Sequence, residues 1–407
     1  MTEGRPAEVP TDTHDLVVPA GATWTDLAAP LRHLLDPAPS GEGPRAVVVA
    51  TSGSSGTPKR VRLGAAALRA SGLATAQRLG GHGRWILALP THHVAGLQVL
   101  ARSALAGTEP VALDPGMPFT PAAFAAAVDR LEQAAVSRPE RAAVDRPHAP
   151  LVLTSLVPTQ LRRLVADAAG RDALSRLDAV LLGGAAADPD LLDRARATGC
   201  RVLHTYGMSE TCGGCVYDGL PLAGVTVRVD PADDRIHLGG PVLADGYVDD
   251  PALTADRFIT DAAGRWFVTD DRGRLDPGTG TLHVLGRVDD VIVTGGHKVE
   301  PRDVEHALRD LPGTVDAFVV GVPDPEWGQV VGALMVTGPP AGAAPTGSPA
   351  PLPPTWLEAL RAALPTHARP RTVATVDGIP LLPSGKPDRA AAVDLLARGG
   401  RMVVYPR

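Results

Sequence analysis

The apolar positions fall into short blocks separated by turns rich in glycine, proline and hydroxyl residues. A helix is predicted near Thr25 to Leu35. Ala46 to Ala50 reads as a buried strand, Arg60 to Leu63 as a short strand, Ala65 to Leu79 as a helix and Arg84 to Leu89 as another strand. Leu97, Leu100 and Leu105 then recur at helical spacing. Residues 129–150 read as an exposed helix and connector. The strand–loop–helix unit repeats at Leu151 to Thr154, with a turn over Ser155 to Pro158 and a helix over Thr159 to Ala168. It recurs at Asp178 to Leu182, with a turn at Gly183-Gly184 and a helix capped by Asp188, opened by Pro189 and closed at Gly199. The strand Arg201 to Thr205 follows. This alternation predicts an α/β chain: a large N-terminal domain of mostly parallel sheets covered by helices.

From Leu220 to Leu285 the pattern shifts to short alternating segments (Val225 to Val229, Arg235 to Leu238, Trp266 to Thr269, Leu282 to Leu285), an antiparallel subdomain. Val288 to Gly296 looks like a junction. Beyond it the chain predicts a small mobile α+β domain: helices Val304 to Leu311 and Trp356 to Leu364, strands Val315 to Val322 and Val330 to Val336, and a loop from Gly338 to Pro354. The predicted boundaries are 1–286, a hinge at 287–290, and 291–407.

Composition narrows the classes. The 407 residues are 44% hydrophobic but only 3% aromatic, so aliphatic packing carries a core large enough for two domains. A net charge of -6 argues against a nucleic-acid surface. There is no run of 18 apolar residues to span a membrane, and Met1 to Pro10 carries no signal-peptide pattern. Three cysteines imply no disulfide framework, and a reducing cytoplasm is expected.

The chemistry concentrates in a few stretches. Thr51-Ser52-Gly53-Ser54-Ser55-Gly56-Thr57-Pro58-Lys59 places two glycines, five hydroxyls and a lysine directly after a strand. Backbone N–H groups, hydroxyls and one compact cation suit a triphosphate, although the Walker A pattern is absent. Thr205-Tyr206-Gly207-Met208-Ser209-Glu210-Thr211 offers an aromatic to stack on adenine, a hydroxyl for a phosphate oxygen and a carboxylate suited to Mg²⁺. His92 and His93 lie in a strand-to-helix loop, where ligands bind in open α/β sheets; a backbone-bonded structural pair and a substrate contact are the two readings. Cys212-Gly213-Gly214-Cys215 lacks the second pair that a structural zinc site needs, and reads as a glycine-rich pocket wall.

These stretches, in this order, resemble the signatures of the adenylate-forming enzymes: acyl-CoA synthetases, peptide-synthetase adenylation domains and luciferases. The resemblance runs to Pro383-Ser384-Gly385-Lys386-Pro387-Asp388-Arg389. It implies that Thr51 to Thr57 and Lys59 bind the phosphates, and that Gly183, Gly184 and Ala185 lie along adenine and the acyl carboxylate. It assigns Thr205 to Ser209 to AMP and Glu210 to the metal. Asp271, with Asp270 beside it as the other candidate, and Arg287 would reach the ribose. Asp289 matches the hinge. Gly295, Gly296, His297 and Trp327 fall on the CoA side, Trp327 having a structural reading as well. Lys386 is the catalytic lysine of the first half-reaction, with Glu210 and His93 the other catalytic candidates. ATP, Mg²⁺ and CoA are the implied cofactor and co-substrates.

The stretch before the phosphate loop is much shorter than adenylate-forming enzymes usually have. With His92 to Gly96 and Thr154 to Leu161, it resembles one subfamily of these enzymes, and that resemblance implies a CoA ligase for an aromatic keto-dicarboxylic acid. One carboxylate would be adenylated and the other held; His92, His93, Ser155, Leu156, Val157, Gln160 and Gly184 are the candidate acid-side residues. The alternatives are an aryl- or alkyl-acid ligase, an enzyme loading a carrier protein, and a silent nucleotide-binding module. Intact Lys386, Glu210 and Arg287 argue against the last. A homodimer is left open, and neither nucleic acid nor a membrane span is expected.

Overall fold

The computed structural model describes residues 14–39, 42–51, 59–136, 150–185, 189–338, 352–382, 387–399 and 401–403. Chain contacts divide it into two units. The larger comprises Met1–Asp230, Ile236–Thr269 and Leu275–Leu282; the smaller comprises Pro231–Arg235, Asp270–Arg274 and His283–Arg407.

A seven-stranded sheet forms the heart of the larger unit. Five of its strands are parallel: Val111–Ala112, Gly83–Leu87, Leu151–Leu156, Ala179–Leu182 and Arg201–Met208. Such strands are covered on both faces and read as continuous apolar runs, as Ala179–Leu182 does. On one face, Ile86, Leu156, Val180 and Leu182 meet Phe124, Leu131, Leu161 and Leu164 of the covering helices. Helices Ala65–Leu79 and Val94–Ala106 pack against each other and against the strand Gly213–Tyr217. Because the five strands run the same way, their carboxyl ends lie along one edge. The loops starting at Ala88, Val157, Gly183 and Ser209 open there.

Three expectations are corrected. Ser155 and Leu156 belong to the strand Leu151–Leu156 and not to a turn, because they pair with Leu181 and Leu182. The strand expected to end at Thr205 continues to Met208, because Thr205, Tyr206, Gly207 and Met208 pair antiparallel with Gly213–Tyr217. The helix Pro121–Val136 starts well before residue 129 and is not simply exposed, since Phe124, Ala127, Val128 and Leu131 are buried.

Ala46–Thr51 and Lys59–Gly64 form a hairpin in a second sheet, with Gly246–Tyr247 added antiparallel to Lys59–Gly64. The antiparallel region contains Thr226–Val229 paired with Arg235–Gly239, and Phe258–Asp261 paired with Gly264–Leu275. In the smaller unit a hairpin of Ile292–Thr294 and His297–Val299 joins Thr314–Asp324, Gly328–Thr337 and Thr372–Thr375. Val304, Leu308, Val319, Val331 and Leu360 are among the residues of its core. The strand Thr372–Thr375 and the helix Arg389–Gly399 were not expected from the sequence. Asp188 and most of the Gly338 to Pro354 loop lie outside the described residues.

Candidate active site

The hairpin of Ala46–Thr51 and Lys59–Gly64 pairs Thr51 with Lys59 in register, and the Thr51 hydroxyl donates to the Lys59 carbonyl at 3.4 Å. Ser52, Gly53, Ser54, Ser55, Gly56 and Thr57 lie outside the described residues. The Lys59 ammonium stands 5.6 Å from the centre of the Tyr247 ring.

Thr205 leads into the nucleotide motif, its hydroxyl donating to the Leu182 carbonyl at 3.2 Å. Gly207 has φ +154, and a Cβ there would stand 2.2 Å from the Gly213 carbonyl oxygen. Residue 207 must therefore be a glycine. Gly213 has a separate reason in its φ of +93, and a Cβ on Gly214 would stand 3.0 Å from Thr205 Cβ. Cys212 and Cys215 are fully buried, and burial pushes both thiols up, Cys215 to about 12. Buried thiols held protonated in this way are unreactive.

Ser209–Thr211 forms a single 3-10 turn, with the Thr211 hydroxyl accepting from the Met208 N–H at 3.0 Å. The turn presents Glu210, 9% exposed. Its backbone carbonyl accepts from the Ala244 N–H at 2.8 Å, and its Oε1 accepts from the Tyr247 hydroxyl at 2.8 Å. A buried carboxylate with one oxygen oriented in this way fits a hard divalent cation that keeps most of its ligands from nucleotide and water. Tyr247 was not singled out from the sequence.

At the same edge, the Gly183 N–H donates to the Leu156 carbonyl at 3.1 Å. Gly184 has φ +84, and a Cβ there would stand 3.2 Å from Val157 Cγ1, so Gly184 and Val157 are neighbours. Ala185 follows in the same loop. His93 is the N-cap of the helix Val94–Ala106, and the His92 and His93 rings lie 4.3 Å apart at 46°. His92 Nδ1 is buried with no hydrogen-bond partner among the described residues. Ser155 is 6% exposed at the carboxyl end of its strand.

Two acid-side candidates are used differently. Leu156 is buried in the apolar core, where it meets the covering helices. Successive strand residues face opposite ways, so Ser155 and Leu156 cannot share one wall. Gln160 donates to the Ala88 carbonyl at 2.8 Å and accepts from the Val157 N–H at 3.1 Å. Its amide fastens two of the loops at this edge to each other.

In the smaller unit, Arg287 grips Asp289 through two bonds of 2.8 and 3.0 Å, with Asp270 at 3.6 Å. Burial opposes the Arg287 charge, but the Asp289 bond and the charges of Asp289, Asp271 and Asp290 outweigh it and raise its pKa. Burial likewise opposes the Asp289 charge, and Arg287 overcomes it, so the Asp289 pKa is lowered. Asp289 sits in a single 3-10 turn, Val288–Asp290. Its neighbour Asp290 pairs with Arg389 at 2.8 Å. The residue closing the terminal motif is thus tied to the expected hinge. Lys386 lies outside the described residues; Leu381 and Pro387 form an isolated antiparallel bridge.

Gly295 and Gly296 turn the hairpin with φ +53 and +81. A Cβ on Gly295 would stand 2.5 Å from the Trp327 ring, and its N–H donates to the Trp327 carbonyl at 3.1 Å. Trp327 also carries the Arg371 guanidinium 4.3 Å over its ring, and His297 stacks on His367 at 4.4 Å. The structure therefore brings Gly295, Gly296 and Trp327 together. Arg371 and His367 are neighbours that no local motif marked. No helix of the described residues is long and apolar enough to cross a membrane.

A family model described as AMP-binding enzyme matches residues 7–251, and one described as AMP-binding enzyme C-terminal domain matches residues 303–386. The chain is 45% identical over 353 residues to a probable 2-succinylbenzoate–CoA ligase of Mycobacterium tuberculosis, covering 86% of this chain and 84% of the relative. Its fold is similar to that of the o-succinylbenzoate CoA synthetase from Bacillus subtilis in complex with its acyl-adenylate intermediate: TM-score 0.65, 25% identity, 88% of this chain and 70% of that one. The same enzyme in complex with ATP and a magnesium ion matches with TM-score 0.67 and 25% identity, over 85% of this chain and 69% of that one. With both its large and its small unit matched in this way, the chain belongs to the AMP-binding enzyme family, the adenylate-forming enzymes.

Proposed function

We propose that the protein is an acid–CoA ligase that activates 2-succinylbenzoate, in menaquinone biosynthesis. The observation that carries this reading is the 45% identity over 86% of the chain to a relative of that description. A succinyl carboxylate oxygen attacks the α-phosphorus of ATP; the α–β bridge breaks, giving acyl-AMP and pyrophosphate. The CoA thiol, losing its proton, then attacks the acyl carbon, releasing AMP and leaving the thioester.

In this reading Lys59 and the loop before it hold the phosphates, and Tyr206 stacks on adenine. Asp271 and Arg287 reach the ribose. Glu210 holds the magnesium ion, which when bound supplies charge neutralisation at the phosphates. Lys386 stabilises charge developing on the α-phosphate and leaves before the thiol enters, with Asp289 as the hinge. Ser155, Val157, Gly184 and the two histidines form the acid side. His92 Nδ1, without a hydrogen-bond partner among the described residues, is suited to a substrate oxygen. Gly295, Gly296, His297 and Trp327 line the CoA approach.

The test is AMP release by the purified protein with ATP, Mg²⁺ and CoA across a panel of acids, with the product identified by mass. 2-Succinylbenzoyl-CoA as the preferred product supports the reading; equal turnover of simple aromatic acids overturns it.

A further inference from the structure

The chain leaving the Glu210 turn is held by two buried polar side chains. Gln98, 1% exposed, donates through Nε2 to the Cys212 carbonyl at 2.6 Å, and the buried Ser71 hydroxyl donates to the same oxygen at 3.1 Å. Ser71 comes from the helix Ala65–Leu79 and Gln98 from the helix Val94–Ala106. Cys212 directly follows the turn Ser209–Thr211, and its N–H donates to the Ser209 carbonyl at 3.0 Å. Its N–H thus closes the turn, while its carbonyl is fixed to two helices.

Cys212 has φ 51 and ψ 39, in the left-handed region. The other non-glycine residues with positive φ among the described residues are Asp218, Asp234 and Asp249, all exposed and of a type that enters this region readily. A buried cysteine has no such local reason, so its surroundings must hold it there.

Gln98 is an unusual residue for the task. Its helix neighbours Leu97, Val99, Leu100 and Ala101 are apolar and fully buried. Only the NH2 end of its amide can donate, so the bond to the Cys212 carbonyl fixes which way the amide faces. Its oxygen is then buried with no hydrogen-bond partner among the described residues. A buried unsatisfied group is unfavourable. An aliphatic side chain would avoid that cost and leave the Cys212 carbonyl to Ser71 alone. The next residue packs on the same helix: a Cβ on Gly213 would stand 3.3 Å from Gln98 Cγ and 3.9 Å from Val94 Cγ2. Val94 and Gln98 are one turn apart on one face, and this helix begins at His93.

We propose that Gln98 is a positioning residue for Glu210. By holding the Cys212 carbonyl it keeps the left-handed exit of the turn, and so the direction in which the Glu210 carboxylate meets a divalent cation. Tyr247 orients the carboxylate itself; Gln98 fixes the backbone that follows it. The helix that starts at the histidine proposed for the acid thereby also braces the carboxylate proposed for the metal. The inference rests on the reading of Glu210 as the magnesium ligand.

The test uses the full chain, assayed well below the Tm of every variant. Gln98→Met keeps the length and bulk of the side chain and removes the donor. The Mg²⁺ concentration giving half-maximal pyrophosphate exchange should rise about 3–10-fold, less than the roughly 10–100-fold typical of a direct partner of a metal ligand. The Kd for Mn²⁺–ATP, read by electron paramagnetic resonance, should rise with it. Ser71→Ala should shift both in the same direction. Leu131→Ala, which opens the core on the other side of the sheet, should lower Tm and leave the metal dependence alone. Gln98→Met with a lowered Tm and wild-type metal dependence overturns the proposal, as does an equal shift in Leu131→Ala. If Gln98→Met does not fold, Ser71→Ala decides. Glu210→Gln separates the two levels: unchanged metal dependence there removes the metal reading and this inference together, whereas a changed one beside an unchanged Gln98→Met removes this inference alone.

Discussion

The Tyr247 hydroxyl donates to Glu210 Oε1 at 2.8 Å while the face of the same ring receives the Lys59 ammonium at 5.6 Å. One buried aromatic thus orients the carboxylate proposed for magnesium and sits beside the lysine proposed for the phosphates. It is itself held by pairing with Val61 and by the Thr254 hydroxyl, which accepts its N–H at 2.9 Å. Tyr247→Phe keeps the ring, its packing on Phe258 and the lysine contact, and removes only the hydroxyl. Loss of a partner that orients a metal ligand typically lowers metal affinity about 10–100-fold. The Mg²⁺ concentration supporting half-maximal pyrophosphate exchange should rise by about that factor, as should the Kd for Mn²⁺–ATP read by electron paramagnetic resonance. An unchanged metal dependence in the variant, with Glu210→Gln strongly impaired, would remove Tyr247 from the site without touching Glu210.

Lys386→Ala should separate the half-reactions. Removing one donor that stabilises developing charge costs roughly 10²–10³ in rate, and lost positioning adds to it. Formation of acyl-AMP should fall by at least that factor, whereas chemically supplied acyl-AMP should still be converted to thioester. Equal losses in both half-reactions, measured by quenched flow, would contradict the assignment.

Asp289 is held by Arg287 within a single 3-10 turn, and its neighbour Asp290 holds Arg389. Asp289→Pro fixes φ near roughly -65° and removes an N–H. If this turn is the pivot, adenylation survives and thioester formation drops. Wild-type thioester synthesis from supplied acyl-AMP would place the pivot elsewhere.

Gln160 separates a structural role from an acid-binding one. Gln160→Ala leaves the Ala88 carbonyl and the Val157 N–H without their partner. Each unsatisfied buried group costs about 1–3 kcal/mol. Thermal unfolding should show a lowered Tm, while the ranking of acids by kcat/KM stays unchanged. A change in ranking at unchanged Tm would return Gln160 to the substrate.

The contrast between Gln160 and Glu210 shows what the sequence carries. Apolar blocks separated by turn residues are local signals. They identified four of the five parallel strands, missing the two-residue Val111–Ala112, and placed Gly183, Thr205 and Glu210 at the ends of theirs. Where a strand stops is set by its neighbour. Pairing with Leu181 and Leu182 extended one strand through Ser155 and Leu156, and that extension turned Leu156 into the core. Tyr247 is 37 residues from Glu210, and no local spacing relates them. Arg371 and Trp327 likewise meet only through the sheet of the smaller unit. The Cys212 to Cys215 stretch was legible as a non-metal stretch because a second cysteine pair is missing, whereas the close approach of Gly207 to the Gly213 carbonyl needed the fold.

Acid selectivity is the remaining test, and Ser155 is its probe. The side chain lies one residue before the end of a parallel strand, beside the loops carrying Val157 and Gly184. If the distal carboxylate is held here, an acid lacking it leaves buried polar groups unpaired, which is costly. 2-Succinylbenzoate should exceed benzoate and medium-chain fatty acids by at least about 10³-fold in kcat/KM, or about 4 kcal/mol of differential transition-state binding. Ser155→Ala should narrow that ratio more than it raises the KM for ATP, because the hydroxyl is assigned to the acid and not to the nucleotide. The comparison needs kcat/KM for each acid and the KM for ATP in both proteins. A Ser155→Ala enzyme with an unaltered acid ratio and a raised KM for ATP would move Ser155 to the nucleotide side; comparable turnover of benzoate by the wild-type enzyme would defeat the dicarboxylate reading while leaving adenylate formation intact.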